Sequence, residues 1–189
     1  MALTASTMLA LGTPLPPFSL AQLGGGRFSN ADLPGLPVLL MVLCAHCPFV
    51  KHVEAEIGRL ERDYSKRVQL LGVASNSLTT HPQDGPEGLA EQRSLQGWRF
   101  PYLLDGDQTL AKALRAACTP DFFLFNDAHV LAYRGQLDGS RPGNGQTADG
   151  ADLRAALGAV LNGQRPGAGQ IAAIGCNIKW HPGQAPDWA

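Results

Sequence analysis

The chain is short of charge and short of long apolar runs. Only 16% of its 189 residues are charged, and 15 Lys+Arg against 16 Asp+Glu leave a formal net charge of −1 at pH 7. Its basic residues form no cluster, which excludes an electrostatic surface for nucleic acid or for an anionic membrane. The longest apolar run, Val38 to Cys44, is far below the ~20 residues that a membrane-spanning helix needs. The opening stretch MALTASTMLALGTPLPP lacks the basic segment of a secretory signal, so the expected location is the cytoplasm. Four cysteines are too few for a secreted scaffold stapled by disulfides. Against these absences, 44% of the residues are apolar, a composition that folds, and the length suits one domain.

Residues 1–17, with Pro14, Pro16 and Pro17, read as a lead-in, residues 18–162 as the domain, and the Gly- and Pro-rich residues 163–189 as an irregular tail. Within the domain, Phe18–Leu20 and Arg27–Ser29 flank Gly24–Gly26 as a hairpin. The unbroken apolar stretch Leu36–Leu43 is a strand buried on both faces. From Pro48 the period changes: Val50, Val53, Ile57, Leu60 and Tyr64 recur at threes and fours, which makes an amphipathic helix. Val68–Ala74 is a second buried strand. The polar stretch Asn76–Gly88 is a loop, long enough to shape access to a site. Further on come a helix over Leu89–Trp98, a strand over Phe100–Leu104, a helix over Gln108–Ala116, a hairpin of Asp121–Phe125 with Val130–Arg134, and a last helix over Ala151–Leu161 capped by Asp149. This order predicts an α/β fold with helices on both faces of one mixed sheet.

The chemistry centres on Cys44-Ala45-His46-Cys47-Pro48, between a buried strand and the opening of a helix. Unpaired N–H groups and partial positive charge at a helix N-terminus stabilise a thiolate. On that basis Cys44 is the expected nucleophile with a lowered pKa, and Cys47, with two residues between them and within reach across the first turn, resolves a mixed disulfide on it. His46 is expected to tune the pair by stabilising the thiolate. That makes the disulfide more oxidising than thioredoxin's about −270 mV, nearer the about −180 mV of isomerase sites. The alternative is a zinc site completed by His46, His52 or the Cys176/His181 pair. Structural zinc usually carries a second paired motif close by, and here the only other pairing is remote. Cys118-Thr119-Pro120 leads into the strand Asp121–Phe125, and a proline there invites a cis peptide bond. A cis-proline loop facing the CxxC presents the Thr119 backbone to a peptide or thiol substrate by strand-like pairing.

With these motifs in place, the chain resembles the thioredoxin superfamily. More closely it is similar to the peroxiredoxin-like, thiol-disulfide isomerase-like members of the alkyl hydroperoxide reductase/thiol-specific antioxidant group. The resemblance runs nearly end to end, through Cys44-Ala45-His46-Cys47-Pro48-Phe49-Val50-Lys51, Pro82 to Pro86, Phe100 to Asp105, Thr119-Pro120-Asp121 and the tail hexapeptide Gly175-Cys176-Asn177-Ile178-Lys179-Trp180. It implies Cys44 as nucleophile, Cys47 as resolving cysteine and Pro120 as cis-proline. It also implies a disulfide- or thiol-containing substrate, protein or small molecule, and a dithiol reductant, with no cofactor, nucleic acid or membrane. Two places depart from the pattern. Thioredoxin proper carries a tryptophan before the motif and a buried aspartate earlier on the strand, where this chain has Leu43 and Val38. A peroxiredoxin sets a hydroxyl residue three before its reactive cysteine, where this chain has Met41, which cannot hydrogen-bond a peroxide oxygen.

Cys118 and Cys176 are additional thiols, open to three readings: a structural bridge, extra resolving cysteines, or small buried hydrophobes. The expected activity is thiol-disulfide exchange in cell redox homeostasis. An antioxidant thiol peroxidase and a non-enzymatic metal-binding module stand as alternatives.

Overall fold

The computed structural model describes residues 3–188. Its strands are β1 (Leu3–Ala5), β2 (Ser19–Gln22), β3 (Arg27–Ser29), β4 (Val38–Val42), β5 (Gln69–Ala74), β6 (Tyr102–Leu104), β7 (Cys118–Thr119), β8 (Asp121–Phe125), β9 (Leu131–Gly135) and β10 (Ile174–Asn177). The helices are α1 (Pro48–Tyr64), α2 (Pro86–Gln96), α3 (Thr109–Ala113) and α4 (Ala151–Leu161). Seven strands form one sheet in the order β3-β2-β6-β5-β4-β8-β9. The central pairs β4/β5 and β5/β6 are parallel, and β8, β9, β2 and β3 add antiparallel edges, so the sheet is mixed as expected.

Side chains alternate along a strand with a period of two, and β4 shows why its apolar run is unbroken. Leu39 and Met41 face a core made with Val50, Val53, Ile57 and Leu60 of α1, Leu89 of α2 and Leu153 and Leu157 of α4. Val38, Leu40 and Val42 face the opposite layer, with Leu110, Ala111 and Leu114 around α3 and with Phe18 and Ile178. In β8, Phe122 and Leu124 join the first layer while Phe123 and Phe125 join the second.

The differences from expectation lie outside the central strands. Helix α2 begins at Pro86, three residues before the apolar stretch that announces it, and ends against Gly97 at φ 67°. Helix α3 stops at Ala113. The N-cap of α4 is Gly150, at φ 68°, while Asp149 Oδ1 accepts from the Ala151 N–H at 2.9 Å. Leu3–Ala5 and Ile174–Asn177 pair in a second sheet, β1-β10-β7. Its register sets Leu3 opposite Cys176, and Cys176 opposite Thr119. The tail thus contains a strand, and beyond it Ile178 is buried and Trp180 meets Trp188 edge-on at 5.8 Å.

Candidate active site

The site grows from the C-terminal end of β4. Leu43 still donates its N–H to Val73 O at 2.9 Å, after which the chain turns through Cys44–Cys47 into α1, with Pro48 as first helical residue and Cys47 as N-cap. The antiparallel pairing of β4 with β8 sets Val42 opposite Asp121. That register brings the preceding residues, Thr119 and Pro120, over the motif. The Thr119–Pro120 bond is cis. Thr119 meets both thiols, its Oγ1 lying 3.4 Å from Cys44 Sγ and its carbonyl oxygen accepting from Cys47 Sγ at 3.2 Å.

The polar stretch read as a loop supplies the support for the motif. Its 3₁₀ turn Pro82–Asp84 carries Asp84, which is buried. Asp84 Oδ1 accepts the N–H groups of Ala45 and His46 at 2.9 and 3.1 Å, and Oδ2 lies 2.6 Å from His46 Nδ1 and accepts from Asn76 Nδ2 at 2.8 Å. Asn76 in turn accepts the Lys179 N–H at 2.8 Å through Oδ1, so the motif, the insert and the tail are joined by one chain of hydrogen bonds. Gln92 of α2 donates to Cys44 O at 3.1 Å, and the His81 ring stacks on His46 at 5.1 Å.

Cys176 completes a cluster of three sulfurs. Its Sγ lies 2.9 Å from Cys47 Sγ, although 129 residues separate them in sequence. None of the four cysteines is disulfide-bonded, and Cys44 and Cys47 are sealed from solvent. Cys118 belongs elsewhere: its thiol turns to the carbonyls of Pro120 and Ala173 at 3.6 and 3.9 Å.

The charge does not settle where the sequence placed it. The lowered thiol is Cys47, at about 4. The Cys44 thiol hydrogen-bonds to it, outweighing the upward push of burial, and Cys176, Thr119 and the Val50 amide lower it further. Cys44 is held well above the usual thiol range, first by donating to Cys47, then by burial and by the Asp84 carboxylate, with the Thr119 hydroxyl pulling down. Position in the helix contributes least: Cys47 is the N-cap, and the Val50 amide is the last of the groups that lower it, while Cys44 lies three residues upstream. His46 is beside the sulfurs as expected, but its Nδ1 is engaged by Asp84.

The structure therefore brings Cys44, Cys47, His46, Thr119, Pro120 and Cys176 together and leaves Cys118 apart. The edge of Thr119 that was expected to receive a substrate strand is occupied by the chain's own β10. Sequence reasoning missed Asp84, Asn76 and Gln92. The one signal for Asp84 was its place between Pro82 and Pro86, ahead of a helix start. Cys44, His46 and Asp84 also set one ligand atom each within 4.8 Å of one another. The Asp84 oxygens, however, are already committed to Ala45, His46 and Asn76.

A CxxC at a strand–helix junction, faced by a cis-proline loop on a mixed sheet, defines a thioredoxin-like redox protein. Residues 11–134 match the AhpC/TSA family, and the chain belongs to that family. An uncharacterized conserved protein from Geobacillus kaustophilus has the same structure with a TM-score of 0.92 and 43% identity, over 96% of this chain and 98% of that one. A hypothetical protein from Sinorhizobium meliloti 1021 gives 0.92 and 40% identity, over 95% and 100%. A secreted Mycobacterium tuberculosis disulfide oxidoreductase shares the fold at 17% identity and a TM-score of 0.59, over 75% of this chain and 95% of that one. No curated protein matches the sequence.

Proposed function

We propose that the protein is a thiol-disulfide oxidoreductase working through Cys44 and Cys47. The observation that carries this reading is the thiol pair beneath the cis-proline loop, with Cys44 Sγ 3.4 Å from Thr119 Oγ1 and Cys47 Sγ 3.2 Å from the Thr119 carbonyl oxygen. As Cys44 attacks a substrate disulfide, its proton passes to Cys47 along their hydrogen bond and one substrate sulfur leaves as a thiolate. Cys47 then attacks Cys44 of the mixed disulfide, the second substrate sulfur leaves with the proton, and the Cys44–Cys47 bond closes. A dithiol reductant reverses the last state to the first. Working from the dithiol form suits a reducing compartment such as the cytoplasm. Since both cysteines are sealed from solvent, the substrate reaches them through a local opening. The two segments nearest to hand are strand β10 and the Ala45–His46 bend.

The test is a titration in glutathione buffers with thiol trapping and peptide mapping. The expected result is a reversible Cys44–Cys47 disulfide between about −270 and about −180 mV. A protein whose two thiols stay unoxidised across that range does not work in this way.

A second reading, thiol peroxidase, is favoured by one contact. Met41 points into the core beneath α1, but the Thr119 hydroxyl stands 3.4 Å from Cys44 Sγ and supplies the hydrogen-bonding group missing from position 41. In that reaction Cys44 takes the peroxide oxygen as a sulfenic acid and Cys47 condenses with it, releasing water. Peroxide consumption no faster than that of an ordinary thiol rejects it.

A further inference from the structure

We propose that Cys176 is a third redox thiol, which takes over the disulfide from the Cys44–Cys47 pair by attacking Cys47. The inference rests on that pair being redox-active. Its ground is the three-sulfur cluster itself, with Cys47 at the centre between Cys44 and Cys176.

The tail is built to hold this thiol in place. Strand β10 sets Cys176 opposite Thr119, the residue whose carbonyl receives the Cys47 thiol. Gly175 permits the approach, since a Cβ there would come within 2.1 Å of Thr119 O. Beyond β10, the Lys179 N–H and carbonyl bond to Asn76 Oδ1 and the Ser77 N–H at 2.8 and 2.7 Å, anchoring the strand to the same insert that supports the motif. Cys176 packs into the apolar core, and its sulfur also meets Cys47 Sγ at 2.9 Å, against about 2.05 Å for a bonded pair.

The step balances without an outside oxidant. Starting from the Cys44–Cys47 disulfide, the Cys176 thiolate attacks Cys47 Sγ. The Cys47–Cys176 bond forms, the Cys44–Cys47 bond breaks, and its electron pair leaves on Cys44, which takes up the proton Cys176 gave away. One disulfide becomes another, and the oxidised protein regains a thiol at Cys44. Charge gates the exchange. Burial pushes the Cys176 thiol up to about 12, with its hydrogen bond to Cys47 and the Cys47 charge pushing the same way and Lys179 pulling down. Once Cys47 is in a disulfide its charge is gone, two of the three upward influences vanish, and Lys179 remains. The Cys176 thiol is therefore easier to ionise once its target has been oxidised than before, with burial, the largest upward push, still in place.

The experiment maps disulfides in the full-length protein after oxidation with oxidised glutathione, acid quench and alkylation, for wild type, C44S and C176S. Wild type is expected to yield both the 44–47 and the 47–176 linked peptides. C44S should yield the 47–176 peptide alone, and C176S the 44–47 peptide alone. Loss of the 47–176 peptide from wild type and from C44S, while C176S forms its 44–47 bond, overturns the relay and leaves the proposed oxidoreductase standing. Absence of the 44–47 bond from C176S overturns the oxidoreductase reading itself. If C44S fails to fold, the wild-type map decides alone: presence of the 47–176 peptide supports the relay and its absence overturns it.

Discussion

His46 Nδ1 lies 2.6 Å from Asp84 Oδ2, while the other oxygen of the same carboxylate receives the N–H groups of Ala45 and His46. One buried side chain from the insert thus fixes both the backbone and the ring of the residues between the two cysteines. Asp84→Ala leaves those donors and the Asn76 amide without an acceptor, at a cost on the order of 1–3 kcal/mol. Asp84→Asn keeps one acceptor oxygen and should lose less. Urea unfolding of the two variants checks this, and an alanine variant as stable as wild type would remove Asp84 from its anchoring role.

The Thr119 hydroxyl is a second lever on the thiols, pulling both Cys44 and Cys47 downward. Thr119→Val keeps the shape and the carbonyl but deletes that donor. A hydrogen bond to a charged group contributes about 1.5–3 kcal/mol, so thiolate formation should move up by roughly one to two pH units. The readout is the pH profile of alkylation, and an unmoved profile denies the hydroxyl its part.

Gly175→Ala is expected to push β10 off Thr119, because the added Cβ meets a backbone oxygen that has nowhere to go. The overpacking costs about 1–3 kcal/mol. Alkylation of Cys47 and Cys176 should then quicken many-fold, as the cover over the site is loosened. Unchanged alkylation rates in the folded variant would mean that access runs by another way.

Burial pushes the Asp121 carboxyl up to about 8. The unfolded chain releases that proton near pH 3.9, so between about pH 4 and 8 the native state holds one proton more than the unfolded state. This contribution to stability is complete below pH 4 and is lost as pH rises through 8, at a slope of up to about 1.4 kcal/mol per pH unit. Asp121→Asn should flatten that slope and gain on wild type at pH 8. Parallel stability curves for the two proteins across this window would contradict the assignment.

What the sequence made legible follows from how local each signal is. The apolar run ending at Leu43 and the threes-and-fours spacing from Val50 to Tyr64 each carry their own periodicity, so β4 and α1 were readable without knowing what they pack on. The Cys44–Cys47 spacing and Thr119-Pro120 were readable for the same reason. Strands β1 and β10 were not, since three or four residues have no period of their own, and these exist only by pairing with Thr119 and with each other. Asp84 was hidden because a polar residue in a polar stretch looks solvated. Its burial is decided by Ala45, His46 and Asn76, which fold over it from other parts of the chain. The misplaced charge had a narrower cause: the hydrogen bond between the two thiols outweighs the helix amides, and no spacing in the sequence says which sulfur donates and which accepts.

A protein leaves the ribosome N-terminus first, and here the assembly of the site follows that order. Residues 44, 47 and 119 emerge well ahead of residue 176, so the thioredoxin-like core can form while the Thr119 edge is still bare. Only when β10 has been made does that edge close and the third sulfur arrive beside Cys47. The closed three-sulfur arrangement thus hangs on one long-range pairing, and the last segment in the order of synthesis is the one that shuts the edge.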